Sequence, residues 1–476
     1  MIMADSKPSS PAPIAIIGGG LAGLTLSIGL SHNNIPHQIY ESAGAFAEIG
    51  AGIALGPNSV KALQLLDPAI NDGFKKCVTY NDGVETDEFG SSLGPKSAEW
   101  LDMRIGMRDG FNDLITTVTH KGSSIPGRAC FHRARFLDEL LKLIPPPTAQ
   151  FGKALRSIKP AEDQEENLVL HFADSTTATA SAVIACDGIK SVVRRSLLEE
   201  YPGHPALRPQ STGEFAYRAM FTKERFVSLT KGRLSPGKGT LFCGDHGYIV
   251  MYPVEKGAFM NMVAIKHEPR PSESNVNHSQ YFTPSVKEEA NWVQPVTTET
   301  VIADFANWGE PIQALLSEIQ RPERWALFDH LPAPTYVKGK VVIMGDAAHA
   351  STPHQGQGAG MAFEDSFVLS GVLGKVLGPS REGAEASAST VNAKIEACFR
   401  AYDAVRRPRT QKLCKTSREM GEMIEYVAPE FGDDLAKIKD NLDQRMDWIW
   451  DVDLPAEVQR AIDIANGILQ DTTKCR

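Results

Sequence analysis

Gly18-Gly19-Gly20-Leu21-Ala22-Gly23 follows the apolar run Ile14-Ala15-Ile16-Ile17 and opens a stretch, residues 21–29, that can form a helix with small residues on one side. Glycines spaced G-x-G-x-x-G at a strand-to-helix turn leave bare backbone amides at a helix N-terminus, where a pyrophosphate is attracted. Glu41 ends the next strand, Gln38-Ile39-Tyr40, eighteen residues after Gly23. A carboxylate in that place binds ribose hydroxyls, and glutamate rather than arginine favours an adenosine ribose without a phosphate. Gly18, Gly20, Gly23 and Glu41 therefore predict dinucleotide binding.

Two further clusters have a similar setting. Asp187-Gly188-Ile189-Lys190-Ser191-Val192-Val193-Arg194 follows the apolar residues 182–185. Gly345-Asp346-Ala347-Ala348-His349, continuing to Pro353-His354-Gln355-Gly356-Gln357-Gly358-Ala359-Gly360, follows residues 340–344. Each reads as a buried parallel strand running into a Gly/Asp turn of the same sheet. A second complete G-x-G-x-x-G unit is missing, so no separate nicotinamide domain is expected.

In this order and at these separations, the three motifs resemble the single-component flavoprotein aromatic hydroxylases, whose best-known member is p-hydroxybenzoate hydroxylase. The likeness extends over nearly the whole chain. Glu48-Ile49-Gly50-Ala51-Gly52-Ile53, Gly56-Pro57-Asn58, His132-Arg133-Ala134-Arg135-Phe136, Ala216-Tyr217-Arg218 and Asp447-Trp448-Ile449-Trp450 are most similar to salicylate hydroxylases. Fungal phenol hydroxylases of polyketide pathways share most of these phrases.

The resemblance implies an α/β fold: a Rossmann-like FAD-binding domain, an interleaved α+β substrate domain and C-terminal helices. It also implies FAD as cofactor, NADH or NADPH as a transient co-substrate, and hydroxylation of a small phenolic or benzoate-type substrate by O2 through a flavin C4a-hydroperoxide. With a 2-hydroxybenzoate the outcome is decarboxylation. Dearomatising hydroxylation of a resorcinol-like polyketide is one alternative, and a flavin-binding protein without turnover is another. Residue by residue, Asp346 is expected near the flavin ribityl chain or phosphate. Gly356, Gly358, Ala359 and Gly360 are expected to bring backbone amides and a helix dipole to the ring. Gly52 and Arg133 join the cofactor set, a guanidinium suiting the pyrophosphate, and Asp187 is expected to serve both FAD and nicotinamide. Cys186 stands where the family more often has Ala; both are small and can be buried.

An electrophilic oxygen requires an electron-rich ring. A phenol has a pKa near 10, so a site favouring phenolate needs a cation or donor beside its oxygen. Arg218 is the candidate. Tyr248 and Tyr252, four apart in Tyr248-Ile249-Val250-Met251-Tyr252, share a strand face and are candidate hydroxyl donors. In salicylate hydroxylases the place of Tyr248 is often held by His. Pro353 and His354 are expected over the flavin, while His349 suits a core or turn role. Lys266 or Arg270 is a possible partner for a substrate carboxylate, and Arg406-Arg407-Pro408-Arg409 reads as a helix-end and domain-docking run.

These groups need a large scaffold. The 476 residues exceed a single compact core. Residues 1–13 read as a disordered lead-in. Residues 14–80 with 125–205 and 330–390 form the expected discontinuous FAD-binding domain, 81–124 with 206–329 the substrate domain, and 391–476 a C-terminal helical region. Residues 378–389 read as a flexible loop. A net charge of −9, spread along the chain, offers no footprint for nucleic acid. Seven cysteines without C-x-x-C spacing suggest neither disulfides nor zinc, and point to a reducing, cytoplasmic setting. Residues 14–31 lack charge, but they are too short and glycine-rich for a membrane span. Monomer and homodimer both remain open.

Overall fold

The computed structural model describes residues 12–46, 52–82, 84, 98–121, 125–161, 167–268, 292–378 and 388–474. The lead-in through residue 11, residues 48–51, Arg270 and most of the loop at 378–389 lie outside the described residues. No helix among the described residues is long and apolar enough to cross a membrane.

A six-stranded sheet runs Val337–Lys338, Val341–Ile343, Val183–Ala185, Ile14–Ile17, His37–Tyr40, Ala149–Gln150. All pairs are parallel except the edge hairpin formed by the first two strands. Each central strand is short, apolar and buried, as expected where helices cover both faces of a parallel sheet. The strand-to-helix turn after Ile17 works because of its glycines. Gly18 has φ +101°, and a Cβ there would stand 2.4 Å from the Cys186 carbonyl oxygen; one on Gly23 would stand 2.0 Å from the Gly18 oxygen. The helix Leu21–His32 then packs on Gly358–Leu377, joined by Thr25 and Ser366, whose hydroxyls are 2.9 Å apart.

An eight-stranded sheet runs Val293–Pro295, Glu323–Asp329, Gln210–Thr222, Phe259–His267, Gly247–Val254, Thr240–Gly244, Glu99–Ile105, Leu114–Thr119. It is antiparallel except between Thr240–Gly244 and Glu99–Ile105. Side chains alternate between its faces. Phe215, Tyr217, Ile249 and Met251 pack with Val301, Ile312 and Leu315 on one face. Ala216, Tyr248 and Ile265 pack with Met361, Leu413 and Met420 on the other. A two-stranded ribbon, Gly52–Leu55 with Ala129–His132, places Gly52 opposite His132.

The helix Ala388–Ile424 packs against Gly358–Leu377 and Leu454–Lys474. Arg406 to Arg409 lie inside it, not at its end. They do dock elements together: Arg406 meets Glu364 and Asp365, and Arg409 meets Glu364. The expected helix end is not there: Pro408 lies inside the helix, which accommodates its missing N–H.

Candidate active site

The three glycine-rich motifs converge on one cavity of about 520 Å³. Gly18, Gly20, Glu41, Arg133, Asp187, Asp346, Gly358 and Ala359 all line it. Glu41 Oε2 accepts the Gly19 amide at 2.7 Å, and its Oε1 accepts the Ala43 amide at 2.7 Å, so the carboxylate is held at the end of its strand. Asp187 Oδ2 accepts the amides of Val192 and Val193 at 2.8 and 3.3 Å, while its buried Oδ1 has no hydrogen-bond partner among the described residues. Burial raises its pKa.

This cavity suits FAD. The helix Leu21–His32 has no side-chain cap, so its first amides are available to a phosphate, and a Cβ on Gly20 would meet nothing within 4 Å. The orphaned Asp187 oxygen on the wall awaits a donor such as a ribityl hydroxyl.

Other expected cofactor residues stand elsewhere. Gly23 closes the first turn from within the helix. Gly360 permits the approach of Ser59, whose Oγ would lie 1.9 Å from a Cβ. Gly356 takes the left-handed conformation after the turn Pro353–Gln355, at φ +64°. Gly52 lies under Tyr252, which donates its hydroxyl to the Gly52 carbonyl at 2.7 Å.

Arg218 projects from the same sheet face as Ala216, with its guanidinium over the Trp325 ring at 5.0 Å. Its surroundings desolvate it, which lowers its pKa, and Tyr252 and Arg133 are near enough to act on its charge. Arg133 lines the cofactor cavity, whereas Arg218 is not one of that cavity's lining residues. Tyr252 gives its only donor to Gly52 and carries Arg128 over its ring at 4.7 Å. Its part is therefore to hold the ribbon, and the hydroxyl expected to serve a substrate is engaged.

Tyr248 is different. Its hydroxyl is 3.0 Å from His354 Nδ1, and His354 Nε2 is 3.2 Å from Glu214 Oε1. Burial opposes the imidazolium of His354, but Glu214 outweighs it and raises the pKa. Burial likewise favours the neutral Glu214 acid, yet His354 prevails and brings that carboxyl to about 2. The buried Tyr248 hydroxyl is pushed well above its ordinary pKa, first by desolvation and then by Glu214 and Glu425. Pro353 is exposed at the start of its turn, and its carbonyl accepts the Gly356 amide at 2.9 Å.

His349 is a core residue, its Nε2 2.6 Å from Asp365 Oδ2. Lys266 is on the sheet face opposite Arg218, bonding the Asp245 carbonyl at 3.1 Å beside Phe305. Strand alternation put it there, so it does not share a face with Arg218 as a partner for the carboxylate of the same substrate. Sequence reading missed Glu214, Glu425, Trp325 and the anchoring role of Arg194. The buried Arg194 donates to the carbonyls of Ala206, Leu331, Ala347 and Ala348, tying the second motif to the third. Its place in D-G-x-x-S-x-x-R was the available signal; for the others there was none.

The family model described as FAD binding domain matches residues 135–388. The chain is 36% identical to 6-methylsalicylate 1-monooxygenase atA of Aspergillus terreus, over 98% of this chain and 95% of that protein. It is 33% identical to a salicylate hydroxylase of Pseudomonas putida, over 96% of each. Among solved structures, a salicylate hydroxylase substrate complex superposes with a TM-score of 0.76 at 34% identity, covering 95% of this chain and 98% of that one.

Proposed function

Since this chain belongs to the FAD-dependent aromatic monooxygenases of salicylate hydroxylase type, we propose that it hydroxylates a small 2-hydroxybenzoate-type phenol, with loss of CO2 when the carboxylate occupies the attacked carbon. NAD(P)H and O2 are the co-substrates of this reaction. Bound FAD supplies hydride acceptance and oxygen activation. The observation that carries the substrate reading is Arg218, a cation stacked on Trp325 on the sheet face that also bears Tyr248.

In this reading Arg218 holds the substrate's phenolate oxygen and favours its ionised form, which makes the ring electron-rich. The stack on Trp325 keeps the guanidinium in place. Tyr248, ordered by His354, presents the hydroxyl that orients the ring and exchanges its proton. Gly18, Gly20, Glu41, Arg133, Asp187, Asp346, Gly358 and Ala359 would hold FAD. Pro353 would form the exposed wall where substrate and flavin meet.

The division into a cofactor unit, 14–80 with 125–205 and 330–390, a substrate unit, 81–124 with 206–329, and a C-terminal helical region, 391–476, belongs to the same reading. It is supported by the strands that each large sheet gathers. A cytoplasmic setting is supported by the free thiols of Cys77, Cys130, Cys186, Cys243, Cys398 and Cys414.

The test is a panel of 2-hydroxybenzoates and acylated resorcinols, scored for stimulated oxidation of NADH and NADPH, CO2 release and product mass. The expected hit is a 2-hydroxybenzoate giving one CO2 per hydroxylated product. Turnover confined to resorcinols, with every carbon kept, would transfer the assignment to dearomatising hydroxylation.

A further inference from the structure

Behind Tyr248 lies a file of buried titratable groups. Glu214 comes from the strand Gln210–Thr222, His267 ends Phe259–His267, Glu425 directly follows the helix Ala388–Ile424, and His354 stands in the turn Pro353–Gln355. A carboxylate oxygen of Glu214, one of Glu425 and a ring nitrogen of His267 all lie within 4.8 Å of one another. His354 Nε2 reaches Glu214 at 3.2 Å, and His267 Nδ1 reaches Glu425 Oε2 at 3.3 Å. Glu425 is fully buried and Glu214 nearly so, whereas His267 opens onto a surface cavity of about 500 Å³ shared with Asp245, Lys266 and Arg324.

We propose that Glu214 and Glu425 share one proton and, with His354 and His267, form a path that carries protons between Tyr248 and the surface at His267. The proposal rests on the functional reading above, because Tyr248 is its substrate-side end.

Two carboxylates in contact away from water cannot both ionise cheaply, so one proton stays with the pair. Burial and Glu214 together raise the Glu425 carboxyl well above its usual range, making it the proton's main seat. The charged groups facing the pair are His354, His267 and Lys266, with Asp329 beside His354 and Arg418 paired to Asp329. Hydroxylation with NAD(P)H takes up one proton for each water released, and two when a benzoate anion also loses CO2. A proton entering at His267 passes to Glu425 as the shared proton moves to Glu214. Glu214 passes one to His354 Nε2, and His354 Nδ1 passes one to Tyr248, which gives its own to the substrate-side oxygen. Every group gives one as it takes one, so the file returns to its starting state; the reverse order removes a phenol proton.

The same three ligand atoms suit a divalent cation, which would replace the shared proton. His354 already supplies positive charge to Glu214, and a single proton satisfies the pair.

The experiment uses the FAD-loaded full chain as wild type, H267A and E425Q. Infrared difference spectra at neutral pH are expected to show a protonated carboxyl band that E425Q loses; this readout needs no substrate, so it separates failure of the path from failure of the substrate reading. With a hydroxylated substrate, H267A is expected to lower kcat roughly 10²-fold with KM kept, and added imidazole to restore it. E425Q is expected to show a similar loss that imidazole does not repair, and a flattened pH profile. Wild-type kcat and pH profile in H267A, absence of the carboxyl band, or one bound zinc per chain lost on E425Q would each overturn the proposal. H267A changes a surface-facing side chain, so the test stands even if E425Q folds poorly.

Discussion

Arg406 Nε lies 2.8 Å from Asp365 Oδ1, and both side chains are fully enclosed. The other oxygen of Asp365 accepts the Gly345 amide at 3.0 Å and meets His349 Nε2 at 2.6 Å. One carboxylate therefore joins the long C-terminal helix to the third cofactor motif. Arg406 Nη2 also meets Glu364 at 2.8 Å.

Arg406→Met should leave Glu364 with Arg409 alone and Asp365 with His349 alone, a loss of about 3–5 kcal/mol. Thermal unfolding should show a marked fall in Tm, with FAD released in the same transition. An unchanged Tm would show that the network is not structural support.

Arg218→Ala removes an exposed side chain and not a core one, so folding and FAD content should be kept. Loss of phenolate stabilisation should lower kcat/KM roughly 10²-fold, with Lys in its place restoring only part. Steady-state kinetics on the hit from the substrate panel decide it; full activity in Arg218→Ala would remove the assigned role.

Gly18→Ala places a Cβ 2.4 Å from the Cys186 oxygen at φ +101°. Strain of order 3 kcal/mol should reach the pairing of Ile14–Ile17 with Val183–Ala185. Yield, Tm and FAD occupancy should all fall. Gly20→Ala meets no such obstacle in the protein, so its Tm without flavin should be near wild type.

The Glu214–His354 pair makes stability depend on pH in a defined window. The folded pKa of His354 is raised, so its contribution is complete below about 6.5 and fades as pH rises through the folded value. That of Glu214 is lowered, so its contribution is complete above about 4.3 and fades as pH falls towards about 2. The Tm difference between wild type and Glu214→Gln should be largest between roughly pH 4.5 and 6.5 and shrink on the alkaline side. A pH-independent difference would contradict the ion pair.

The sequence by itself determined the three strand-to-turn motifs that meet at one cavity. Gly18, Gly20 and Glu41 sit in turns and strand ends a few residues long, so spacing states what backbone they make; Asp187 and Asp346 are expected beside them from the family resemblance, and all five line one cavity. It also placed Tyr248 and Tyr252 on one face, since strand alternation is local. Only the tertiary structure decided which hydroxyl was engaged, Tyr252 by Gly52, 200 residues away. The same holds for His354 between Tyr248 and Glu214, for Lys266 on the far face, and for Arg406 within the core. Such contacts depend on how separate sheet faces and helices stack. That stacking is governed by the burial of the whole chain, and no spacing within one segment encodes it.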